Sequence, residues 1–187
     1  MILRLFVGIE PSLRVKHSLY DISTILKSSL DGARWISPHN IHLTLKFLGP
    51  TPVEKIDDIM NAIERGTLGF RKFSFSLGQL GGFPSVNRAR VLWVGVRHGE
   101  SELIQLSQTI DKALAPLGFK PEDKQFKPHI TLARLKAPKS IADAISSVPT
   151  DSFFGRFVNV DGITIYQSRL KRSGAEYESL RYIPLQG

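Results

Sequence analysis

Two short phrases of the chain each begin with a histidine and carry a threonine two residues later. The first is HLTLKFLG, and the second is HITLARL, which begins 87 residues further along. Side chains two residues apart in a strand point to the same face, so His42 lies beside Thr44 and His129 lies beside Thr131. Imidazoles can act as general base and general acid near neutral pH, and hydroxyls can donate hydrogen bonds to phosphate oxygens. The two pairs together predict in-line displacement at phosphorus, with no covalent enzyme intermediate.

A second pair of phrases repeats with the same offset. LFVGI begins at Leu5 and LWVGV begins at Leu92, again 87 residues apart. Each is followed by apolar residues at helical spacing, and these stripes are Leu19, Ile22, Leu26 and Leu30, and Leu103, Leu106, Ile110 and Leu114. Each half therefore predicts a strand, a helix and a histidine strand, in that order.

The repeat predicts an α+β fold with two pseudo-symmetric lobes, each a mostly antiparallel sheet backed by two helices, and a central cleft between them. We expect residues 1–187 to form a single bilobal domain with approximate repeat halves 1–89 and 90–187. An exchange of strands between the halves is left open. Ligands commonly bind in grooves of this kind.

Strand alternation also predicts what the other residues of the first phrase do. One face is expected in the core, and it carries Ile41, Leu43, Leu45 and Phe47. Lys46 falls on the histidine face, either at the phosphate or at a solvated edge.

The segment Thr51–Glu54 (TPVE) then predicts a helix start with a threonine N-cap and a capping-box glutamate, and Gly66 predicts its end.

Composition excludes several kinds of site. The chain has no cysteine, which rules out disulfides and cysteine-ligated metal centres. His39 and His42 would point to opposite faces of a strand, and no HExxH or G-x-S-x-G motif occurs. We therefore predict no metal, no cofactor and no serine nucleophile.

Charge and hydropathy bear on the partners. Lys and Arg total 25 against 17 acidic residues, a net charge of +8, which favours a polyanionic partner or serves only to keep the surface soluble. No segment has the length of a signal-peptide core or a membrane span. We expect a soluble cytoplasmic protein with no membrane association and no obligate protein partner.

Five phrases in order resemble the two-histidine phosphoesterase superfamily, and within it the RNA 2',3'-cyclic phosphodiesterase, or 2'-5' RNA ligase, family. They are LRLFVGIE, NIHLTLKFLG, GGFPSVNRARVLWVGV, FKPHITLARL and the closing YQSRL…G…Y, and they span nearly the whole chain. The resemblance implies a bilobal fold and a metal-independent enzyme that opens the 2',3'-cyclic phosphate of RNA ends or nucleotides to a 2'-phosphomonoester. It also implies a second activity, 2'-5' RNA ligation.

The resemblance further implies roles for individual residues. His42 would be the proton donor and His129 the proton acceptor, a distinction that the spacing does not make. Thr44, Thr131 and Arg134 would bind the phosphate. By parity Arg134 belongs with the buried residues of its strand, so it needs a β-bulge or a strand end to reach the cleft.

Other residues have two open interpretations. Phe83 could stack a base or pack in a turn. Basic side chains could follow an RNA backbone or serve solubility, and these are Arg88, Arg90, Arg169, Lys171 and Arg172. For the whole protein, the alternative function is a non-catalytic module that binds a nucleotide or RNA end in the same cleft.

Overall fold

The computed structural model describes residues 1–122, 125–149, 151–153, 155–171 and 174–187. Its strands are β1 (Ile2–Ile9), β2 (Ala33–Trp35), β3 (Leu43–Pro52), β4 (Phe73–Phe83), β5 (Ala89–His98), β6 (His129–Lys139), β7 (Phe157–Val160), β8 (Gly162–Lys171) and β9 (Gly174–Pro184). Its α-helices are α1 (Leu13–Lys27), α2 (Ile56–Gly66), α3 (Glu100–Leu114) and α4 (Ala142–Ser146). The predicted α+β class is confirmed.

The strands form one curled antiparallel sheet with the two histidine strands at its centre. The order is β7-β4-β5-β6-β3-β1-β8-β9, and β2 pairs with β6. On one side of the centre, β1, which carries the LFVGI phrase, lies between β3 and β8. On the other side, β5 lies between β6 and β4. The repeated phrases therefore occupy matching places on either side of the β3–β6 junction.

The helices bury the apolar stripes that the sequence predicts. All of the stripe residues of α1 and α3, and Leu30 just beyond α1, belong to the buried core. Helix α1 is capped by Ser12, whose Oγ accepts a hydrogen bond from the backbone amide of Val15. A Cβ at Gly66 would lie 2.6 Å from the Cβ of Ala113, so the glycine that ends α2 also permits its close approach to α3.

The predicted helix start at Thr51 is wrong. Thr51 remains in β3, paired with Leu3 of β1, and its buried hydroxyl donates to the carbonyl of Gly49. A 3₁₀ turn over Val53–Lys55 follows, and α2 begins only at Ile56. The hydrogen bonds of the β1–β3 ladder continue through this residue and override its local preference for a cap.

No helix in the described part of the chain combines the length and apolar composition needed to cross a lipid bilayer.

Candidate active site

The two histidine strands meet at a single point. Among the described residues, β3 and β6 pair only through Leu43 and Ile130, and both of these side chains are fully buried. Neighbours of a buried strand residue point to the other face. The histidine and threonine of each phrase therefore lie together on the face opposite the core.

The register of this junction sets His42 across from Thr131 and Thr44 across from His129. Directly opposite residues have Cβ atoms about 4.5–5.5 Å apart, and diagonal neighbours lie about 7–8 Å apart. The imidazoles are diagonal neighbours, and the charge of His129 acts on the pKa of His42.

Both imidazoles are held by the same backbone contact. The Nδ1 of His42 lies 2.7 Å from the carbonyl oxygen of Asn40, and the Nδ1 of His129 lies 2.7 Å from that of Lys127. A carbonyl oxygen only accepts hydrogen bonds, so each Nδ1 carries the proton and donates it. In the neutral rings, each Nε2 is therefore the basic atom, and that of His42 lies 3.0 Å from the hydroxyl of Thr44.

Aromatic side chains enclose the first imidazole. The His42 ring lies 4.7 Å from Phe6 and meets Tyr177 edge-on at 4.9 Å, with Tyr166 at 6.1 Å. Phe6 and Tyr166 also stack on each other at 4.9 Å between centroids. These apolar walls exclude water from the ring and hold it in one orientation.

The second imidazole has a different enclosure. The His129 ring meets Phe83 edge-on at 4.9 Å and lies 6.1 Å from Trp93. The ammonium of Lys127 lies 4.6 Å from the centroid of Trp93 and 5.9 Å from that of Phe83. Phe83 therefore packs at the site, and stacking of a base on it stays a prediction.

Burial controls the protonation of both histidines. The pKa of His42 falls to about 4. Desolvation is the largest cause, the charges of Lys16 and Arg134 lower the pKa as well, and the hydrogen bond from the ring to Asn40 opposes the shift. Desolvation is also the largest cause that lowers the pKa of His129, and the charges of Arg134 and Lys127 act in the same direction. The hydrogen bond from the ring to the carbonyl of Lys127 opposes this shift. The free site thus favours two neutral imidazoles at neutral pH.

A β-bulge brings Arg134 to the histidine face. Trp93 of β5 is paired with Thr131, but the preceding Leu92 is paired with Ala133, so β6 has one extra residue here. Val91 then pairs with Arg134, and Val91 shares the face of Trp93. Arg134 is accordingly exposed between the buried Ala133 and Leu135. The sequence analysis named this requirement, and the structure meets it.

A β-bulge in β3 overturns two predictions, the burial of Phe47 and the position of Lys46 on the histidine face. Gly8 of β1 is paired with Thr44, but Val7 is paired with Lys46. The extra residue turns Phe47 away from the predicted core. Phe47 is 60% exposed, and its ring lies 6.2 Å from that of Phe6. Phe47 and Arg134 occupy equivalent places in the two phrases.

Lys46 is neither at the phosphate nor at a solvated edge. Only 3% of it is exposed, and its ammonium lies 2.5 Å from the carboxylate of Asp111 on α3. It also donates to the carbonyl of Lys120, 2.8 Å away. Lys46 therefore anchors β3 to the helix and to the segment that leads into β6.

Two of the other basic residues form ion pairs across a hairpin. Arg169 forms an ion pair with Glu178, and Lys171 forms one with Glu176, across the β8–β9 hairpin. Arg88 and Arg90 are exposed. Arg172 lies outside the described residues.

In the described part of the chain, no three His, Asp or Glu side chains are grouped so as to hold a metal ion. The backbone carbonyl of His39 accepts a hydrogen bond from Lys16, and its side chain is exposed.

The sequence analysis missed the residues that support the histidines. Phe6 and Trp93 occupy the same place in the repeated LFVGI and LWVGV phrases, and each packs against one imidazole. Gly8 and Gly95 in the same phrases lie beside the histidine strands, paired with Thr44 and His129. A Cβ at Gly8 would lie 2.8 Å from the carbonyl oxygen of Leu43. The repeat itself was the signal for these residues. Tyr166 and Tyr177 lie outside this repeat, and Tyr166 begins the closing YQSRL phrase.

Comparisons with known proteins identify the family of this chain. The model of the 2'-5' RNA ligase superfamily matches residues 18–172. The RNA 2',3'-cyclic phosphodiesterase of Archaeoglobus fulgidus is 33% identical over 180 residues, covering 96% of this chain and 98% of the relative. The protein of the same name from Thermotoga maritima is 33% identical over 189 residues, covering 99% and 97%.

Solved structures give the same picture. TT0787 of Thermus thermophilus superposes with a TM-score of 0.84 at 30% identity, and 99% of each chain is covered. LigT of E. coli, complexed with 3'-AMP, superposes with a TM-score of 0.80 at 25% identity, and all of each chain is covered.

Proposed function

Because this chain belongs to the 2'-5' RNA ligase superfamily, we propose that it hydrolyses the 2',3'-cyclic phosphate of RNA ends or nucleotides to a 2'-phosphomonoester. The observation that carries the proposal is the junction of β3 and β6, which brings two histidine–threonine pairs to one face. Relatives that match nearly the whole chain bear the name RNA 2',3'-cyclic phosphodiesterase.

In the proposed reaction, a water oxygen attacks the phosphorus and loses its proton to the Nε2 of His129. The bond from phosphorus to the 3' oxygen breaks, and the Nε2 of His42 donates a proton to that oxygen. Burial depresses the pKa of His42 in the free site, so its role as the acid requires the bound substrate to return the ring to its protonated form. The anionic substrate favours that protonation.

The phosphate would be held by three side chains. The hydroxyls of Thr44 and Thr131 lie on the histidine face and can donate to the non-bridging oxygens. Arg134 carries a permanent charge that acts on both imidazoles, and a guanidinium suits the geometry of a phosphate. Each step proceeds without a metal ion in this scheme.

The same displacement can join RNA. If a 5'-hydroxyl replaces the water, its oxygen becomes bonded to phosphorus while the 2' oxygen remains, and a 2'-5' linkage results. We propose this as a second reaction of the same site. We also place the protein in the cytoplasm, as a single bilobal domain with no obligate protein partner. The lack of cysteine is compatible with a reducing compartment.

A dinucleotide that ends in a 2',3'-cyclic phosphate tests the proposal. With EDTA present, the wild-type protein should add one water to it, and mass analysis with location of the phosphate should identify the 2'-phosphate. His42→Ala and His129→Ala should each lower turnover by about 100-fold or more. His17→Ala removes an exposed histidine of α1 and should have no effect.

Three results would contradict it. Loss of turnover in EDTA would exclude the metal-free scheme, and a 3'-phosphate product would exclude the proposed leaving group. Tight binding of the dinucleotide without product at any pH would instead support the non-catalytic binding module.

A further inference from the structure

A second arginine faces Arg134 across a strand junction. Strand β2 pairs antiparallel with β6, and Arg34 is directly opposite Arg134. Both arginines are exposed. On the other face, Trp35 is paired with the buried Ala133 and packs against the core. Residues directly opposite each other share a face, so the two guanidinium groups emerge together.

This face continues the histidine face. Arg134 is paired on its other side with Val91, which shares the face of Trp93, a residue in ring contact with His129. Lys136 lies two residues beyond Arg134 and is exposed, whereas Leu135 between them is buried. Positive charge therefore extends from the imidazoles along β6, in steps of about 7 Å, and sideways onto β2.

The pairing is unfavourable without a ligand. Like charges directly opposite on neighbouring strands destabilise a sheet, and no carboxylate of the described residues forms an ion pair with Arg34, Arg134 or Lys136. Arg169 and Lys171 on the β8–β9 hairpin, by contrast, each face a glutamate. A bound anion would offset the repulsion at the arginine pair.

We propose that Arg34, with Lys136, forms a second anion site that binds an internucleotide phosphate of the RNA next to the cyclic end. The inference rests on the proposed function, because Arg134 is there assigned to the cyclic phosphate and Arg34 lies directly opposite it on the neighbouring strand β2. A mononucleotide has no phosphate for this site. The enzyme should therefore prefer the ends of RNA chains to free cyclic nucleotides.

The test compares kcat/KM for a cyclic mononucleotide and for a trinucleotide with the same cyclic end. Arg34→Ala should lower the preference for the trinucleotide by about 10-fold, the value of a charge-assisted hydrogen bond. The slope of log kcat/KM against log salt concentration should become shallower by about 0.7 for the trinucleotide. Arg34→Lys should restore part of the preference for the trinucleotide and part of the salt dependence. Arg14→Ala, which removes an equal charge from the surface of α1, should leave both quantities at the wild-type values.

The outcomes separate the two proposals. Absence of turnover of either substrate by the wild-type protein would overturn the proposed function itself. If the wild-type protein turns over both, an unchanged preference and salt slope in Arg34→Ala would overturn the second anion site. An equal loss on both substrates would overturn it as well. Thermal unfolding checks folding, and Arg34→Ala should melt at or above the wild-type temperature in low salt because the repulsion is relieved.

Discussion

Binding of a phosphate anion should raise the pKa of His42 from about 4 to near neutrality. Burial of this ring sets the low value, and a shift from 6.5 to about 4 corresponds to roughly 3 kcal/mol against the protonated form. A single negative charge about 4 Å from Nε2 is worth about 4 kcal/mol at the effective dielectric of a protein surface, or about 3 pKa units. The bound anion therefore offsets the cost of burial.

Nuclear magnetic resonance titration of the imidazole signals measures this shift. Spectra with and without saturating inorganic phosphate are compared from acid to neutral pH, and His42→Gln assigns the signal. The expected result is a rise of about 3 units in the pKa of His42 on binding. A pKa that stays within about half a unit of its free value would refute the electrostatic account of the acid.

Kinetics should show the same coupling. The profile of kcat/KM reports the free enzyme, and that of kcat reports the bound complex. The alkaline limb requires a protonated acid, so it should lie at higher pH in kcat than in kcat/KM. The two pKa values belong to the histidine pair as a unit, and limbs that coincide would contradict the shift.

Three predictions concern the fold that carries the site. His42 has a lower pKa in the folded chain than its usual 6.5, so stability is present above pH 6.5 and is lost as the pH falls through about 4; between neutral and acid pH, urea unfolding should show a loss of stability about 3 kcal/mol larger for wild type than for His42→Gln. Lys46→Met leaves Asp111 without its ion pair and should cost about 3 kcal/mol in the same measurement, and adding Asp111→Leu should recover part of that loss. Phe47→Ala should cost under about 1 kcal/mol because the side chain is largely exposed, whereas Phe75→Ala in the core should cost about 3–5 kcal/mol; equal costs would contradict the bulge in β3.

Much of the site was predictable because strand alternation is local. The buried Leu43 and Ile130 follow from the period of two in each phrase, and so do the histidine and threonine that flank each of them. The stripes of α1 and α3 follow equally from a period near 3.6. These patterns depend on neighbouring residues alone.

The departures from simple alternation in the histidine strands have one physical cause. An extra residue in a strand turns every later side chain to the other face, and strand partners far away in sequence decide whether it is accommodated. The pairing of β3 with β1 moved Phe47 outward and Lys46 inward. The pairing of β6 with β5 brought Arg134 to the cleft. The N-cap predicted at Thr51 is also wrong, because pairing of Thr51 with the distant Leu3 extends β3 through this residue.

By itself, the sequence determined which side chains are candidates for the chemistry and that they occur twice, since residue type and spacing are properties of the chain. Tertiary structure alone decided that the two copies meet at Leu43 and Ile130, that Asn40 and Lys127 select the tautomers, and that burial lowers the pKa of both histidines. The reason is that register, desolvation and long-range electrostatics arise from segments brought together by packing, and no local period of the sequence records them.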